Sequence, residues 1–339
     1  MKVSVLLLFI TLVSILFSGC ATKISTTTVV PAEIDRATKI KRIAVTQFKK
    51  DNVGLSPKVE NQLVTTKIKG KKYFVVASRA DLDKVISESK LQSSDSFDTK
   101  TAVRIGNILG VQAIVTGIVS KTYSEDQKFN EGRTRCGDKK CTYTVKYTVS
   151  CTKRTVGMSG NINLIDVEKG DIIHAERIDG TKAVKHCSDS NGGLLNKDVV
   201  LNQLANSAAY KFVYKLSPHE VAYNIVLLED PDTDYTDKEE QILENFIVVM
   251  KARRTDKGEK FIKQLVSSTK GESYVALYNL GVIQELKGQT GEALKSFTAA
   301  DELVVTNVPE ISDALVRIRK ITKNTEKFKK NIEERNKVK

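Results

Sequence analysis

The stretch AVRIGNILGVQAIVTGIVS (residues 102–120) changes its period halfway along. In the first half Ala102, Ile105 and Leu109 line one helical face, and Gly110 follows as a C-terminal stop. From Val111 to Ser120 the chain is almost unbroken apolar, the mark of a strand buried on both faces. Upstream, KRIAVTQF (41–48) alternates as a short strand, and residues 56–69 support a helix through Val59, Leu63 and Val64. KKYFVVAS (71–78) is β-rich, and the helix starting at Ser78 carries Leu82, Val85 and Ile86 on one face. Strand, helix, strand, helix, helix, strand is an α/β opening.

Downstream the pattern becomes β-rich. TYTVKYTVSC (142–151) places Val145, Tyr147, Val149 and Cys151 on one face. The phase then flips to Val156, Met158, Ile162 and Leu164, which predicts a bulge or strand break near Thr152–Arg154. IDVEKGDIIHAERI (165–178) reads as a strand, a tight turn at Lys169-Gly170 and a strand. Leu195–Leu216 is an amphipathic helix stopped by Pro218. The expected class is α+β: a mixed α/β, sandwich-like domain, followed by a small all-α domain.

The front end sets the compartment. Lys2 precedes an uncharged apolar run from Val3 to Phe17, shorter than the roughly 20 residues a spanning helix needs. That describes a signal peptide over 1–19. Leu16-Phe17-Ser18-Gly19-Cys20 resembles a bacterial lipobox, with Phe17 where leucine is usual. The resemblance implies acylation of Cys20, which anchors the protein to a membrane. Ala21 in place of aspartate favours the outer membrane, with the protein facing the periplasm. Residues 20–39, Thr-rich with one proline, read as a flexible lipidated tether.

Net charge is +13, and on an exported protein it points to anionic envelope surfaces. No recognition helix or zinc module argues for nucleic acid. With Cys20 lipidated, Cys136, Cys141, Cys151 and Cys187 form an even set in an oxidising space: two disulfides, three connectivities. Cys136 and Cys141 bracket the polar loop CGDKKC, leaving Cys151 with Cys187; a zinc site built from all four with His186 is the alternative. No metal or other cofactor is expected. His174, His186 and His219 are scattered outside any nucleophile or metal motif, and no phosphate loop occurs, so no enzyme is expected.

IAVTQF, SRADLDKVISESKL, AVRIGNILGVQAIVTGIVS and NLIDVEKGDII occur in the order seen in the curli assembly/transport component (CsgG) family, which the chain resembles over about 40–220. The resemblance implies a lipid-anchored, mixed α/β periplasmic domain in a family that includes an oligomeric secretion pore. The pore-forming member spans the membrane with two β-hairpins, matching about 121–155 and 179–196 here. A membrane strand needs about 9–11 residues with one apolar face. TYTVKYTVSC fits, but SEDQKFNEGRTRCGDKK (124–140) is densely charged and the second segment short and polar, so no membrane barrel is expected.

The last third is helical. ALYNLGVIQELKGQTGEALKSFTAADEL (276–303) resembles a tetratricopeptide repeat, with Leu277, Leu280, Gly281, Gly288, Ala293, Phe297 and Ala300 at its spacings. The resemblance implies binding of envelope proteins through this repeat. The expected organisation is signal peptide 1–19, tether 20–39, CsgG-like domain 40–228, linker 229–240, repeats 241–322 and a basic, frayed tail 323–339. The expected function is a non-catalytic periplasmic adaptor, open to homo-oligomerisation; the alternative is a subunit of a CsgG-type channel for curli-like fibres.

Overall fold

The computed structural model describes residues 22–88 and 99–337. It is mixed α/β: a mixed-sheet domain followed by a cluster of helices. The strands are β1 (Lys23–Val30), β2 (Arg42–Val45), β3 (Lys67–Ile68), β4 (Lys71–Lys72), β5 (Val75–Val76), β6 (Ala113–Cys136), β7 (Thr144–Asp166), β8 (Ile172–Cys187) and β9 (His219–Val226). The helices are α1 (Leu55–Thr65), α2 (Arg79–Glu88), α3 (Thr99–Leu109), α4 (Lys197–Leu216), α5 (Asp237–Lys251), α6 (Thr255–Ser268), α7 (Tyr274–Leu286), α8 (Thr290–Leu303) and α9 (Pro309–Lys337). They divide into two units: residues up to 30 with 220–328, and 31–219 with 329–339.

The unit built on 31–219 is organised by a five-stranded sheet in the order β5-β2-β6-β7-β8. β2 runs parallel to β5 and β6, while β6, β7 and β8 form an antiparallel meander. Because side chains alternate across a strand, Ala44 and Ile114 meet Leu82, Ala102, Ile105, Val111 and Ile165 on the α2–α3 side. Ile43, Val45, Val115, Ile162 and Leu164, also fully buried, point the other way, where α1 lies on β2 and α4 lies on β7 and β8. The sheet is thus covered on both sides, as the unbroken apolar run required. At Gly106 an added Cβ would stand 2.3 Å from Val167, so a side chain there would hold α3 off the sheet.

β6 is 24 residues long and pairs with β7 as far as Cys136↔Thr144, so the charged segment 124–136 is strand; ladder hydrogen bonds need no apolar side chains. Two expectations for this unit are corrected. The irregularity expected at Thr152–Arg154 is absent: β7 keeps its register there, and the shifts lie between Val119 and Lys121 on β6, opposite Gly160 and Ser159, and between Leu164 and Ile165 against β8. The burial phase flips because different faces are covered at the two ends. Val156 and Met158 face α4, whereas Val149 and Cys151 gather with Cys187 and Phe129. The basic end is helical to Lys337 rather than frayed. Arg335 is buried under the Tyr73 ring, 4.0 Å away, and donates to the carbonyls of Thr38, Ile40 and Tyr73.

In the other unit β1 pairs with β9, and α5 to α8 pack as successive neighbours. Residues 22–30, read as part of a flexible tether, are therefore mostly strand: β-branched Thr26, Thr27, Thr28, Val29 and Val30 suit a ladder although their apolar pattern is weak. The rest of that tether, in the unit built on 31–219, includes buried Ala32, Ala37 and Thr38. The core here gathers Phe246, Met250, Ile262, Leu265, Val282, Ile283, Phe297 and Ile318.

Candidate functional site

Two regions carry features beyond packing: the β6–β7–β8 ribbon and the α7–α8 helix pair.

The ribbon is long because its ladder continues past the register shifts at its root. β7 has 23 residues, about 75 Å at the usual rise per residue. β8 accompanies it only to Cys187, which sits opposite Cys151. Beyond that point two strands continue and close through residues 137–143. One disulfide joins Cys151 to Cys187 across β7 and β8, with Cα atoms 4.0 Å apart; the other joins Cys136 to Cys141 across the closing loop. The first is buried and the second exposed. Glu131 lies within 4.8 Å of Cys151 and Cys187, but with both sulfurs in a disulfide this trio offers a metal a lone carboxylate.

Charge pairs knit the ribbon surface. Lys185 donates to Glu131 at 2.7 Å and holds its carboxyl below the ordinary range. Arg133 reaches Asp189 at 2.9 Å, and the Tyr147 hydroxyl donates to the same carboxylate at 3.1 Å. Arg154 clasps Asp126 through two bonds of 2.7 Å and lowers its pKa likewise. Phe129, Glu131, Arg133 and Arg135 share a face with Val145, Tyr147, Val149 and Cys151. Lys128, Asn130, Gly132 and Thr134 share the other with Lys146, Thr148, Ser150 and Thr152. Both faces carry charge, so neither offers the apolar band a lipid-facing strand requires. The second family hairpin segment, 179–196, supplies the end of β8 and the loop into α4.

In the helix pair, Ala293, Phe297 and Ala300 are fully buried, and Leu277 and Leu280 pack partly buried against the same core. Gly281 is the close-approach point: a Cβ there would stand 2.6 Å from the Phe297 ring. Gly288, at φ +72, occupies the left-handed turn between α7 and α8, a conformation that costs glycine little. Sequence reasoning missed the polar residues beside them. Asn279 is buried, donates to the Leu228 carbonyl at 2.7 Å and accepts from the Leu228 amide at 3.2 Å. Tyr278 donates to Val226 O at 2.7 Å, and burial raises its pKa to about 12. Glu285 is buried between Arg317, at 2.9 Å, and the Tyr223 hydroxyl, at 2.9 Å.

The segment read as a linker is structural too. Asp232 accepts from the Tyr274 amide at 2.6 Å and from Ser273 Oγ at 2.6 Å, at the N-terminus of α7, where a carboxylate is favoured.

The histidines stay apart. His174 bonds Glu176 at 3.1 Å, His186 donates to Gly192 O at 2.9 Å, and His219 stacks on Tyr214 at 3.6 Å with its pKa lowered by burial. Glu176 underlies a groove of about 380 Å³ lined also by Met158, Ile178, Leu204 and Lys211. Burial pushes its carboxyl up, but hydrogen bonds from Lys215, Lys211 and His174 outweigh that and leave it below the ordinary range. Its lone pairs face cations rather than a nucleophile. Cys20 and the signal segment lie outside the described residues, among which no helix is long and apolar enough to cross a membrane.

With this geometry in hand, comparison with known families is decisive on one point. The family of curli production assembly/transport components, CsgG, matches residues 23–226. The chain belongs to the CsgG family. The match begins at β1 and ends with β9, so it includes the ribbon and both strands of the smaller sheet. No curated protein matches. Among solved structures, this CsgG-family chain is similar to lipoprotein GNA1162 from Neisseria meningitidis, at 12% identity over 51% of this chain and 98% of that one, with a TM-score of 0.25. It is also similar to the PelC dodecamer from Paraburkholderia phytofirmans, at 15% identity over 58% and 98%, TM-score 0.24. A third is the hypothetical protein CT253 from Chlamydia trachomatis, at 9% identity over 51% and 94%, TM-score 0.23. At such scores the family assignment rests on the sequence match.

Proposed function

We propose that this CsgG-family protein is a non-catalytic envelope lipoprotein, anchored through Cys20 to the outer membrane and facing the periplasm, that serves as an adaptor or assembly factor for envelope or secretion machinery. The observation that carries this reading is the ribbon: a long arm that carries charge on both faces and is closed by two disulfides, suited to an oxidising aqueous space. A lipid on Cys20 supplies membrane attachment without a barrel. The tetratricopeptide-like pair α7–α8, whose packing is set by Leu277, Leu280, Gly281, Gly288, Ala293, Phe297 and Ala300, is the repeat assigned to partner proteins, and self-association is compatible with the same role.

The alternative is a subunit of an oligomeric channel for curli-like fibres. One observation favours it: residues 121–155 do form a continuous antiparallel hairpin, as the pore-forming member's equivalent does. Electron microscopy of the complex extracted in detergent separates the two. The adaptor reading expects particles without a detergent-embraced barrel; a ring with a membrane band across the ribbon would replace it with the channel.

A further inference from the structure

The ribbon tip carries a concentration of unpaired charge that the adaptor reading leaves unused. Arg135, Lys139, Lys140 and Lys146 are exposed there, and among the described residues none pairs with a carboxylate. The single acid of the closing loop is already engaged. Asp138 accepts from the Thr142 amide at 2.7 Å and from the Thr142 hydroxyl, bonds that hold its carboxyl below the ordinary range. Arg133, lower on the ribbon, is taken by Asp189 and Glu131.

Apolar and aromatic groups are interleaved with these cations. Tyr143 is 58% exposed and Val145 38%, and the Arg135 guanidinium stands 5.4 Å from the Tyr147 ring. The presentation is built rather than incidental. Tyr143 lies over Gly137, where an added Cβ would come within 2.0 Å of the ring, and its hydroxyl donates to Gly137 O at 3.2 Å. The Gly137 amide in turn donates to Tyr143 O at 2.9 Å, and Cys136–Cys141 shuts the loop around this pair.

Cations alone would match any acidic surface. Cations alternating with an exposed tyrosine and valine match a bilayer surface, where lysine and arginine meet phosphate groups and tyrosine settles at the headgroup boundary. We propose that the ribbon tip, residues 135–146, is a peripheral docking site for anionic lipid headgroups. It contacts the bilayer surface without crossing it, and gives the protein a second membrane contact beside the Cys20 lipid. This deepens the envelope reading and rests on it, but the test is independent of acylation.

The chain contains no tryptophan, so Tyr143→Trp installs a single reporter at the tip. The mature chain is exported behind an ordinary cleavable leader with Cys20→Ser, so that it carries neither leader nor acyl chain. It is then mixed with vesicles of phosphatidylglycerol and phosphatidylethanolamine in equal parts, or of phosphatidylcholine alone. The expected result is co-sedimentation with the anionic vesicles only, with a blue-shifted tryptophan emission. Each cation near such a surface is worth about fivefold and the factors multiply, so joint reversal (Arg135→Glu, Lys139→Glu, Lys140→Glu, Lys146→Glu) lowers partitioning by about a hundredfold or more. The same number of reversals on α9 (Lys320→Glu, Lys323→Glu, Lys329→Glu, Lys330→Glu) leaves it unchanged. The proposal is overturned by absent or lipid-indifferent binding, by tip reversal without effect, or by sedimentation that leaves the tryptophan emission unmoved. An equal emission shift from soluble polyglutamate also overturns it, in favour of an acidic protein partner.

Discussion

The ribbon and the helical unit keep their elements together by opposite means. Residues 237–303 hold four helices on a core of Phe246, Met250, Ile262, Tyr278, Phe297 and their neighbours, and contain no cysteine. The distal ribbon buries little more than Val149, Cys151 and Cys187, and relies on ladder bonds, ion pairs and two disulfides. The helical unit is stable through area removed from water; the ribbon is stable through covalent closure of chain segments that bury almost nothing. An arm that stays exposed has no hydrophobic core to use, and its two disulfides are the substitute.

The largest test of this contrast is in the core. Phe297→Ala opens a cavity beneath Gly281 and should destabilise the helical unit by about 3–5 kcal/mol. Hydrogen exchange followed by mass spectrometry should show faster exchange in α7 and α8 and unchanged protection in β6 and β7. Next is the inter-strand disulfide. Removing the Cys151–Cys187 crosslink, with a sequence separation of 36, should cost about 4 kcal/mol on loop-closure grounds. Here the pattern of exchange should invert, with β8 and the distal ribbon opening while α7 and α8 stay protected. The Cys136–Cys141 pair closes a separation of only 5, so its loss should cost about 2 kcal/mol and affect the tip alone. If dithiothreitol loosened the helical unit as much as the ribbon, the contrast would fail.

A smaller effect lies at the root of the ribbon. Glu176, on β8, has a folded-state pKa below its unfolded value of about 4.3. Such a group adds stability at pH values above the unfolded pKa and loses it as pH falls through the folded one. Glu176→Gln should therefore cost about 1–2 kcal/mol near neutral pH, and should flatten the acid limb of a denaturant-midpoint curve. Parallel acid limbs for the variant and the parent would show that Lys211 and Lys215 do not depend on this carboxylate.

The same division explains what could be read from the sequence. Ala102, Ile105 and the Val111–Ser120 run were legible because burial leaves a period, helical on α3 and continuous on a strand covered on both faces. Phe297, Ala293 and Ala300 were legible through the resemblance to tetratricopeptide spacing, and all three are buried. Residues 124–136 were not, because a strand whose side chains face water on both sides has no apolar period; its register is dictated by β7 across the ladder. β1 escaped notice likewise, its threonines finding a partner almost two hundred residues away in β9. Asn279, Glu285 and Asp232 were hidden because a buried polar group is identified by the partner it satisfies, and those partners are distant in sequence.

The most direct test concerns the ribbon itself, as an aqueous arm or a membrane-crossing hairpin. Nitroxide labels placed singly at Lys128, Glu131, Tyr147 and Ser150 sample both faces, clear of the tip. In the acylated protein bound to bilayers, their relaxation is measured with a water-soluble nickel complex and with dissolved oxygen. An aqueous arm predicts that the nickel complex outcompetes oxygen at every position on both faces. Oxygen accessibility alternating with a period of two, high on one face and low on the other, would place that face in lipid and contradict the account.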